Sequence, residues 1–195
     1  MNTLRTDLCT LEPQLASHAE EMFSVLCDPA IYEFEGEPPP SVEALRAGYT
    51  RRESRLSPDG SEKWLNWVVR LRTGELTGYV QATVLSSGAS YIGYEFSSQY
   101  WRRGLASISV KTVANELANN YQVHTIVALF KSQNYRSIGL LTKLGFVAGS
   151  ELEALRYEVP DDENLLLFHL PKTDAQRKRL DCAKPQPEPV VGRAR

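Results

Sequence analysis

The fold is decided by one stretch, Tyr94-Glu95-Phe96-Ser97-Ser98-Gln99-Tyr100-Trp101-Arg102-Arg103-Gly104-Leu105-Ala106-Ser107. A strand pattern ends near Ser97, and apolar positions at helical spacing predict a helix from Gly104 to about Asn119. The first N–H groups of a helix have no partner inside the helix, and they lie at the positive end of its dipole. With Arg102 and Arg103 beside them, these amides predict a binding site for a pyrophosphate.

A solvated basic helix start is the simpler alternative for the same residues. Two nucleotide-binding motifs are excluded. The string G-x-x-x-x-G-K-[ST] does not occur, and G-x-G-x-x-G fails because Ala106 stands where the second glycine is needed. The anion site therefore belongs to neither of these common classes.

Outward from this stretch, the pattern of apolar residues predicts a mixed α/β fold with helices on both faces of one sheet. The predicted helices are 12–28, 41–56, 104–119 and 134–144, and the seven predicted strands are 3–11, 65–71, 76–85, 90–97, 123–130, 146–157 and 164–170. Tight turns join the three strands of the middle, which predicts an antiparallel meander.

Composition excludes several functions. The chain has 195 residues with a formal net charge of −2, so no global charge favours nucleic acid or an anionic membrane. Cys9, Cys27 and Cys182 are far apart and lack metal-ligand spacing, which predicts buried reduced thiols and a cytoplasmic protein without a metal. The chain is interpreted as one domain over 1–171, followed by a polar, basic tail over 172–195 that is predicted to be disordered.

Four blocks resemble the GNAT superfamily of N-acetyltransferases, in consistent order between about Leu4 and Leu170. Trp101–Ala106 resembles the coenzyme A pyrophosphate loop, with pattern Q/R-x-x-G-x-G/A. The other blocks are N-Y-R-S followed by L-T-K-L-G-F at 134–146, I-G-Y-E-F at 92–96 and G-E-L-T-G-Y-V at 74–80. Trp101 in place of Gln or Arg is similar to the branch of the ribosomal-protein N-terminal (Rim-type) acetyltransferases.

The resemblance implies a mostly antiparallel seven-stranded sheet with a splayed central strand pair, and acetyl-CoA as co-substrate. The pantetheine arm would lie in the splay. The implied cofactor-binding residues are Phe96, Ser97, Arg102, Arg103, Gly104, Leu105, Ala106, Ser107 and Asn134, with main-chain groups of Glu95 to Ser97 bonding the pantetheine. Catalysis would be direct attack by a neutral amine on the thioester.

Glu95 is the candidate general base, and the alternative for it is an exposed strand residue or an ion-pair partner. Many enzymes of the superfamily protonate the leaving thiolate with a tyrosine at the position that Leu141 occupies here. Ser137 is therefore the candidate proton donor, with helix capping as its alternative. Tyr135 and Tyr94 are weaker options, and catalysis by positioning alone stays open.

The acceptor is interpreted as a protein N-terminus or a small cationic amine. The loops that line the acceptor cleft in this fold carry acidic residues, namely Glu33, Glu35, Glu37, Glu158, Asp161, Asp162 and Glu163. They would attract a cation, or they are solvated loop charges. Phe34, Tyr32 and Trp64 would line the cleft or belong to the core. A non-catalytic acyl-CoA-binding sensor and a hydroxyl acceptor are the rival hypotheses, and the resemblance also allows a homodimer.

Overall fold

The computed structural model describes residues 1–170. The helices are α1 (Ala19–Leu26), α2 (Val42–Arg52), α3 (Leu105–Tyr121), α4 (Tyr135–Lys143) and α5 (Glu151–Arg156). The strands are β1 (Leu4–Arg5), β2 (Cys9–Pro13), β3 (Lys63–Leu71), β4 (Leu76–Val84), β5 (Ala89–Phe96), β6 (Thr125–Lys131), β7 (Val147–Ala148) and β8 (Glu163–His169). The predicted tail, 172–195, lies outside the described residues.

All eight strands form one sheet in the order β1-β2-β3-β4-β5-β6-β8-β7, in which only β5 and β6 run parallel. The predicted mixed, mostly antiparallel sheet with flanking helices is confirmed. The count of eight instead of seven arises because the predicted strand 3–11 is two short strands, β1 and β2, that pair with each other.

Two predicted elements are wrong. Pro13 ends strand β2, and the first helical turn begins only at Ala16. The predicted strand 146–157 is the two-residue β7 followed by helix α5. Ser150 caps α5 by accepting from the amide of Glu153 at 3.3 Å, while the Glu153 carboxylate accepts from the amide of Ser150 at 2.8 Å. This capping box favours a helix over a strand.

The sheet has two covered faces. On the first, the α3/α4 face, the main core joins Trp67, Val80 and Phe96 to α3 and α4. On the second, the α1/α2 face, Met22 and Tyr49 pack on Val68 and Leu76. Successive residues of a strand point to opposite faces, so each strand contributes to both cores.

The central strand pair is splayed, as the resemblance implies. β5 and β6 are in register only at three pairs, Ala89–Thr125, Ser90–Ile126 and Tyr91–Val127. Beyond them, among the described strands, β5 pairs only with β4, and β6 only with β8. We call the space between Ile92–Phe96 and Ala128–Lys131 the strand gap.

Two further properties bear on the composition-based predictions. No helix within residues 1–170 is both long and apolar enough to cross a membrane. Cys9 is buried and Cys27 is exposed, so the prediction of buried thiols is wrong for Cys27.

Candidate active site

The ladder between β4 and β5 determines which main-chain groups face the strand gap. The amide of Ser97 donates to the carbonyl of Thr77 at 3.0 Å, and the carbonyl of Ala89 accepts from Leu85 at 2.9 Å. Odd-numbered residues of β5 therefore bond to β4, and in an antiparallel ladder the alternate residues point the other way. The N–H and C=O groups of Tyr94 and Phe96 face the strand gap. Those of Glu95 and Ser97 do not, which corrects their expected main-chain role.

The start of α3 retains the features expected of an anion site. Its N-cap residue, Gly104, has φ 79°, a left-handed conformation that glycine adopts without strain. No side chain within residues 1–170 caps this helix, and its first turn contains no acidic residue. The amides of Leu105, Ala106 and Ser107 therefore lie free at the positive end of the helix dipole.

Two arginines precede this helix start, and both side chains are exposed. Arg102 also has a left-handed backbone, with φ 60°. The Arg103 guanidinium lies 5.5 Å from the centre of the Tyr100 ring. Such cation–π contact orients a cation without neutralising it. Both charges remain available to a diphosphate.

Trp101 joins the end of β5 to α4. Its indole N–H donates to the carbonyl of Phe96 at 2.7 Å, and the Arg136 guanidinium lies 4.3 Å from its ring centre. Arg136 also pairs with Glu33 at 2.5 Å. The Phe96 carbonyl already accepts this hydrogen bond from the indole. The Phe96 amide therefore remains the main-chain group at this end of β5 that is directed into the strand gap.

Glu95 points to the α1/α2 face, where it is half-buried. Burial raises its pKa, and Glu35 raises it further, while the hydroxyl of its cross-strand neighbour Tyr79 opposes the rise. None of the ion pairs among residues 1–170 includes Glu95. Glu95 is therefore neither an exposed strand residue nor an ion-pair partner, which were the two alternatives to its role as general base.

Tyrosines surround this carboxylate. Burial raises the pKa of Tyr32, Tyr49 and Tyr79, and the Glu95 charge adds to the rise for each. The Tyr32 hydroxyl donates to the carbonyl of Leu26 at 2.9 Å. The Tyr49 hydroxyl is buried without a hydrogen-bond partner in the described part of the chain. Three phenol groups thus lie near Glu95 on the α1/α2 face.

On the other face, α4 brings Ser137 close to Tyr94 of β5. Asn134 caps the helix through its side-chain oxygen, which accepts from the Ser137 amide at 3.0 Å. The Ser137 hydroxyl is therefore not the cap, which was the alternative to a catalytic role. Leu141 is 1% exposed and belongs to the core, so that position provides no hydroxyl.

Asp28 was missed by the sequence reasoning, although it ties the two halves of the site together. Its carboxylate accepts from the amide of Ser98 at 2.6 Å and the hydroxyl of Ser97 at 3.1 Å. It also accepts from the amide of Ala30 at 3.0 Å. The contact spans seventy residues of sequence and joins the loop after α1 to the loop before α3, which no local motif reveals.

Some of the acidic residues in these loops already form ion pairs. Lys131 pairs with Asp162 at 2.8 Å and with Glu163 at 3.1 Å, and Glu33 is taken by Arg136. Glu35 keeps a raised pKa because of burial and the charge of Glu163. Trp64 is opposite Thr83, which in turn is opposite Tyr91 at the far end of β5, so Trp64 does not line this site.

Comparison with known proteins identifies the family. A family model described as acetyltransferase (GNAT) domain matches residues 9–147. The chain therefore belongs to the GNAT acetyltransferase family, and it is an acetyltransferase whose co-substrate is acetyl-CoA. Comparison with curated proteins found no match. No group of three or more His, Cys, Asp or Glu side chains within residues 1–170 could hold a metal ion.

Solved structures share the fold at low sequence identity. The ribosomal L7/L12 α-N-protein acetyltransferase RimL, in complex with coenzyme A, has a TM-score of 0.72 at 15% identity, covering 87% of this chain and 98% of that one. The ribosomal-protein-S5-alanine acetyltransferase of Vibrio fischeri has a TM-score of 0.70 at 17% identity, covering 87% and 97%. A chimera of spermidine N-acetyltransferase SpeG from Vibrio cholerae and hSSAT has a TM-score of 0.66 at 16% identity, covering 89% and 98%.

Proposed function

We propose that this enzyme transfers the acetyl group of acetyl-CoA to a primary amine, either a protein N-terminus or a small cationic amine, by direct attack with both substrates bound. One observation carries the proposal. Glu95, half-buried and without a cationic partner within residues 1–170, is adjacent in β5 to the Phe96 amide that faces the strand gap. A proton acceptor and a carbonyl-polarising donor thus meet at one strand end.

The cofactor side of the site fits coenzyme A in charge and shape. Arg102, Arg103 and the free amides of Leu105, Ala106 and Ser107 would hold the pyrophosphate, with Gly104 allowing close approach. Tyr94 and Phe96 would bond the pantetheine in the strand gap as an added strand would. The Ser97 side chain is tied to Asp28, and we assign it the shaping of this loop. Asn134 uses only its side-chain oxygen for capping, and its amide nitrogen would donate to the pantetheine or the adenosine.

We assign Glu95 the role of general base. An ammonium must lose a proton before it can attack, and a carboxylate whose pKa is raised is a better match to an amine than an ordinary one. The Phe96 N–H would donate to the thioester carbonyl as negative charge develops there. Holding both substrates side by side makes the step nearly unimolecular, which accounts for much of the expected rate.

The acceptor class is supported by the polar groups around Glu95. Glu35 is close enough to raise the Glu95 pKa, so negative charge from two carboxyl groups acts on this part of the α1/α2 face. The Tyr49 hydroxyl, which has no hydrogen-bond partner within residues 1–170, adds a buried polar group that a bound amine could satisfy. Structures of similar fold are named for protein N-terminal and spermidine acetylation, which agrees with an amine acceptor.

The test is an acetyl-transfer assay. The protein is mixed with acetyl-CoA and a panel of polyamines, amino acids and peptides with free N-termini, and release of free thiol is measured. We expect at least one acceptor to give release above background, and mass spectrometry of the product to show an amide. An ester product would identify a hydroxyl acceptor instead. Thermal stabilisation by coenzyme A with no turnover across the panel would favour the sensor hypothesis.

A homodimer, allowed by the resemblance, is a separate prediction. Light scattering after size-exclusion chromatography measures it directly. We propose no nucleic-acid or membrane partner.

A further inference from the structure

Tyr94 is the least explained polar side chain near the strand gap. Its hydroxyl is buried and has no hydrogen-bond partner within residues 1–170. Buried hydroxyls in folded proteins nearly always have a partner, in the protein or in what it binds. An unpaired one beside a predicted binding space indicates a ligand atom as its missing partner.

The position of Tyr94 in the fold limits which ligand atom could be this missing partner. Tyr94 precedes Phe96 by two residues, so its main chain faces the strand gap and its side chain points to the α3/α4 face, where it packs against the main core. Burial raises the Tyr94 pKa, and the hydroxyl of Ser137, on α4, opposes the rise, so the two hydroxyls are neighbours although their geometry is not that of a hydrogen bond. Tyr94 and Ser137 thus flank the strand gap on the side opposite Glu95.

We propose that the Tyr94 hydroxyl donates a hydrogen bond to the sulfur of coenzyme A and stabilises it as the leaving thiolate, with Ser137 orienting the phenol. This inference rests on the proposed function. The Tyr94 hydroxyl would be the hydrogen-bond donor for the negative charge on sulfur, a role that the buried side chain of Leu141 cannot fill. Tyr94 lies on strand β5 and was a weaker option than Ser137 on sequence grounds, whereas the tyrosine that the resemblance implies would lie on α4.

Tyr94 acts as a hydrogen-bond donor and keeps its proton. Burial raises its pKa to about 12, well above that of a thiol, about 8.5. In the transfer, the neutral amine nitrogen, whose first proton Glu95 has taken, bonds to the acetyl carbon, and the carbon–sulfur bond breaks with its electron pair on sulfur. The second proton that the nitrogen then loses goes to solvent. The thiolate leaves hydrogen-bonded to Tyr94 and then takes a proton from solvent.

The first experiment measures the thiol in the complex with coenzyme A, without any acceptor. The rate at which bound coenzyme A is alkylated is followed against pH for the wild type, Tyr94→Phe and Tyr91→Phe. Tyr91 is the matched control because it lies in the same strand and its ring contacts Tyr157 on the opposite face. We expect a thiol pKa below that of free coenzyme A in the wild type and Tyr91→Phe, and a return towards the free value in Tyr94→Phe.

The second experiment measures turnover with an acceptor found in the panel. We expect Tyr94→Phe to lower kcat by roughly 10- to 100-fold, less than the 10²–10³-fold typical of an oxyanion donor, because negative charge on a large sulfur atom needs less stabilisation than charge on oxygen. The KM for acetyl-CoA and the melting temperature should stay unchanged. Ser137→Ala should lower kcat less than Tyr94→Phe does.

Equal thiol pKa values in the wild type and Tyr94→Phe would overturn the inference, as would an unchanged kcat. If Tyr94→Phe does not fold, Ser137→Ala decides, since an unchanged thiol pKa and kcat there contradicts the proposed orientation. The two proposals fail differently. A wild type that shifts the bound thiol pKa but acetylates no amine loses the proposed function and keeps the Tyr94 contact.

Discussion

The two faces of strand β5 differ in chemistry, although they share one backbone. On the α3/α4 face, Tyr94 and Phe96 are part of an apolar core, and the Tyr94 hydroxyl has no hydrogen-bond partner in the described part of the chain. On the α1/α2 face, Glu95 lies among tyrosine hydroxyls with Glu35 nearby. Under the proposed function, this difference would keep the two substrates on opposite faces of the strand until they react. Alternation along a strand sends successive side chains to opposite sides, while their amides stay 3–4 Å apart along the chain.

The largest effect is expected from removing the Glu95 carboxylate on the α1/α2 face. Glu95→Gln should lower kcat/KM for the amine by roughly 10²–10⁴-fold, because a neutral amide cannot accept the proton. The wild-type rate should rise with pH through the raised pKa of Glu95, and the variant should lose that dependence. Steady-state assays across pH measure both.

The matched control is Glu75→Gln, which removes an exposed carboxylate from the hairpin between β3 and β4. It should leave kcat/KM unchanged. Coenzyme A affinity should be unaltered in both variants. A Glu95→Gln enzyme of wild-type activity would mean that the base is elsewhere, or that positioning alone suffices.

The next largest effect is expected from reversing a charge where the coenzyme A pyrophosphate would bind. Arg103→Glu should weaken coenzyme A binding by at least about 100-fold, because it removes a charge-assisted hydrogen bond and places a carboxylate beside the pyrophosphate. Calorimetric titration measures it. Arg72→Glu makes the same charge change at an exposed turn residue and should bind normally. Equal losses in the two variants would indicate a general effect of net charge.

A smaller effect tests the backbone at the helix start. Gly104→Ala forces a side chain into φ 79°, at a cost of about 1–2 kcal/mol. For a domain of this size that corresponds to a fall of roughly 2–8 °C in melting temperature. Scanning calorimetry measures it, with Gly139→Ala as the contrasting variant. An added Cβ there meets nothing within 4 Å and Gly139 lies inside α4, so its melting temperature should be unchanged or higher. An unchanged melting temperature in Gly104→Ala would contradict the left-handed conformation.

The smallest effect concerns stability and pH. A raised pKa means that folded Glu95 binds its proton more tightly than unfolded Glu95, so this group stabilises the fold at low pH and loses that contribution as pH rises. Glu95→Gln removes the dependence. The melting temperature of the variant minus that of the wild type should therefore increase from pH 4 to pH 8. A difference that shrinks with pH would show that the Glu95 carboxylate is stabilised by the fold.

Much of the cofactor side could be predicted from sequence because its signals are local. Arg102, Arg103 and Gly104 are consecutive, and Gly104 lies at the helix boundary where a left-handed residue is required. The N-cap role of Ser41 in α2 is likewise a local signal of the sequence. The capping box at Ser150 and Glu153 was also visible, and the prediction of a strand there overlooked it.

The remainder of the site depends on contacts between distant segments. Asp28 meets Ser98, Arg136 meets Trp101 and Glu33, and Tyr79 meets Glu95 only through strand register. The direction of the Phe96 amide likewise follows from the β4–β5 ladder. A one-residue slip would exchange it with Glu95 or Ser97, so the sequence alone could not choose among them.

The central claim is that the strand gap and the start of α3 bind coenzyme A together. An NMR titration of ¹⁵N-labelled protein with coenzyme A tests it most directly. The account predicts large amide shifts at Phe96, Tyr94 and residues 105–107, and smaller ones at Glu95 and Ser97, whose amides face β4. Shifts absent from residues 94–107, or equal along β5 without regard to this alternation, would contradict it.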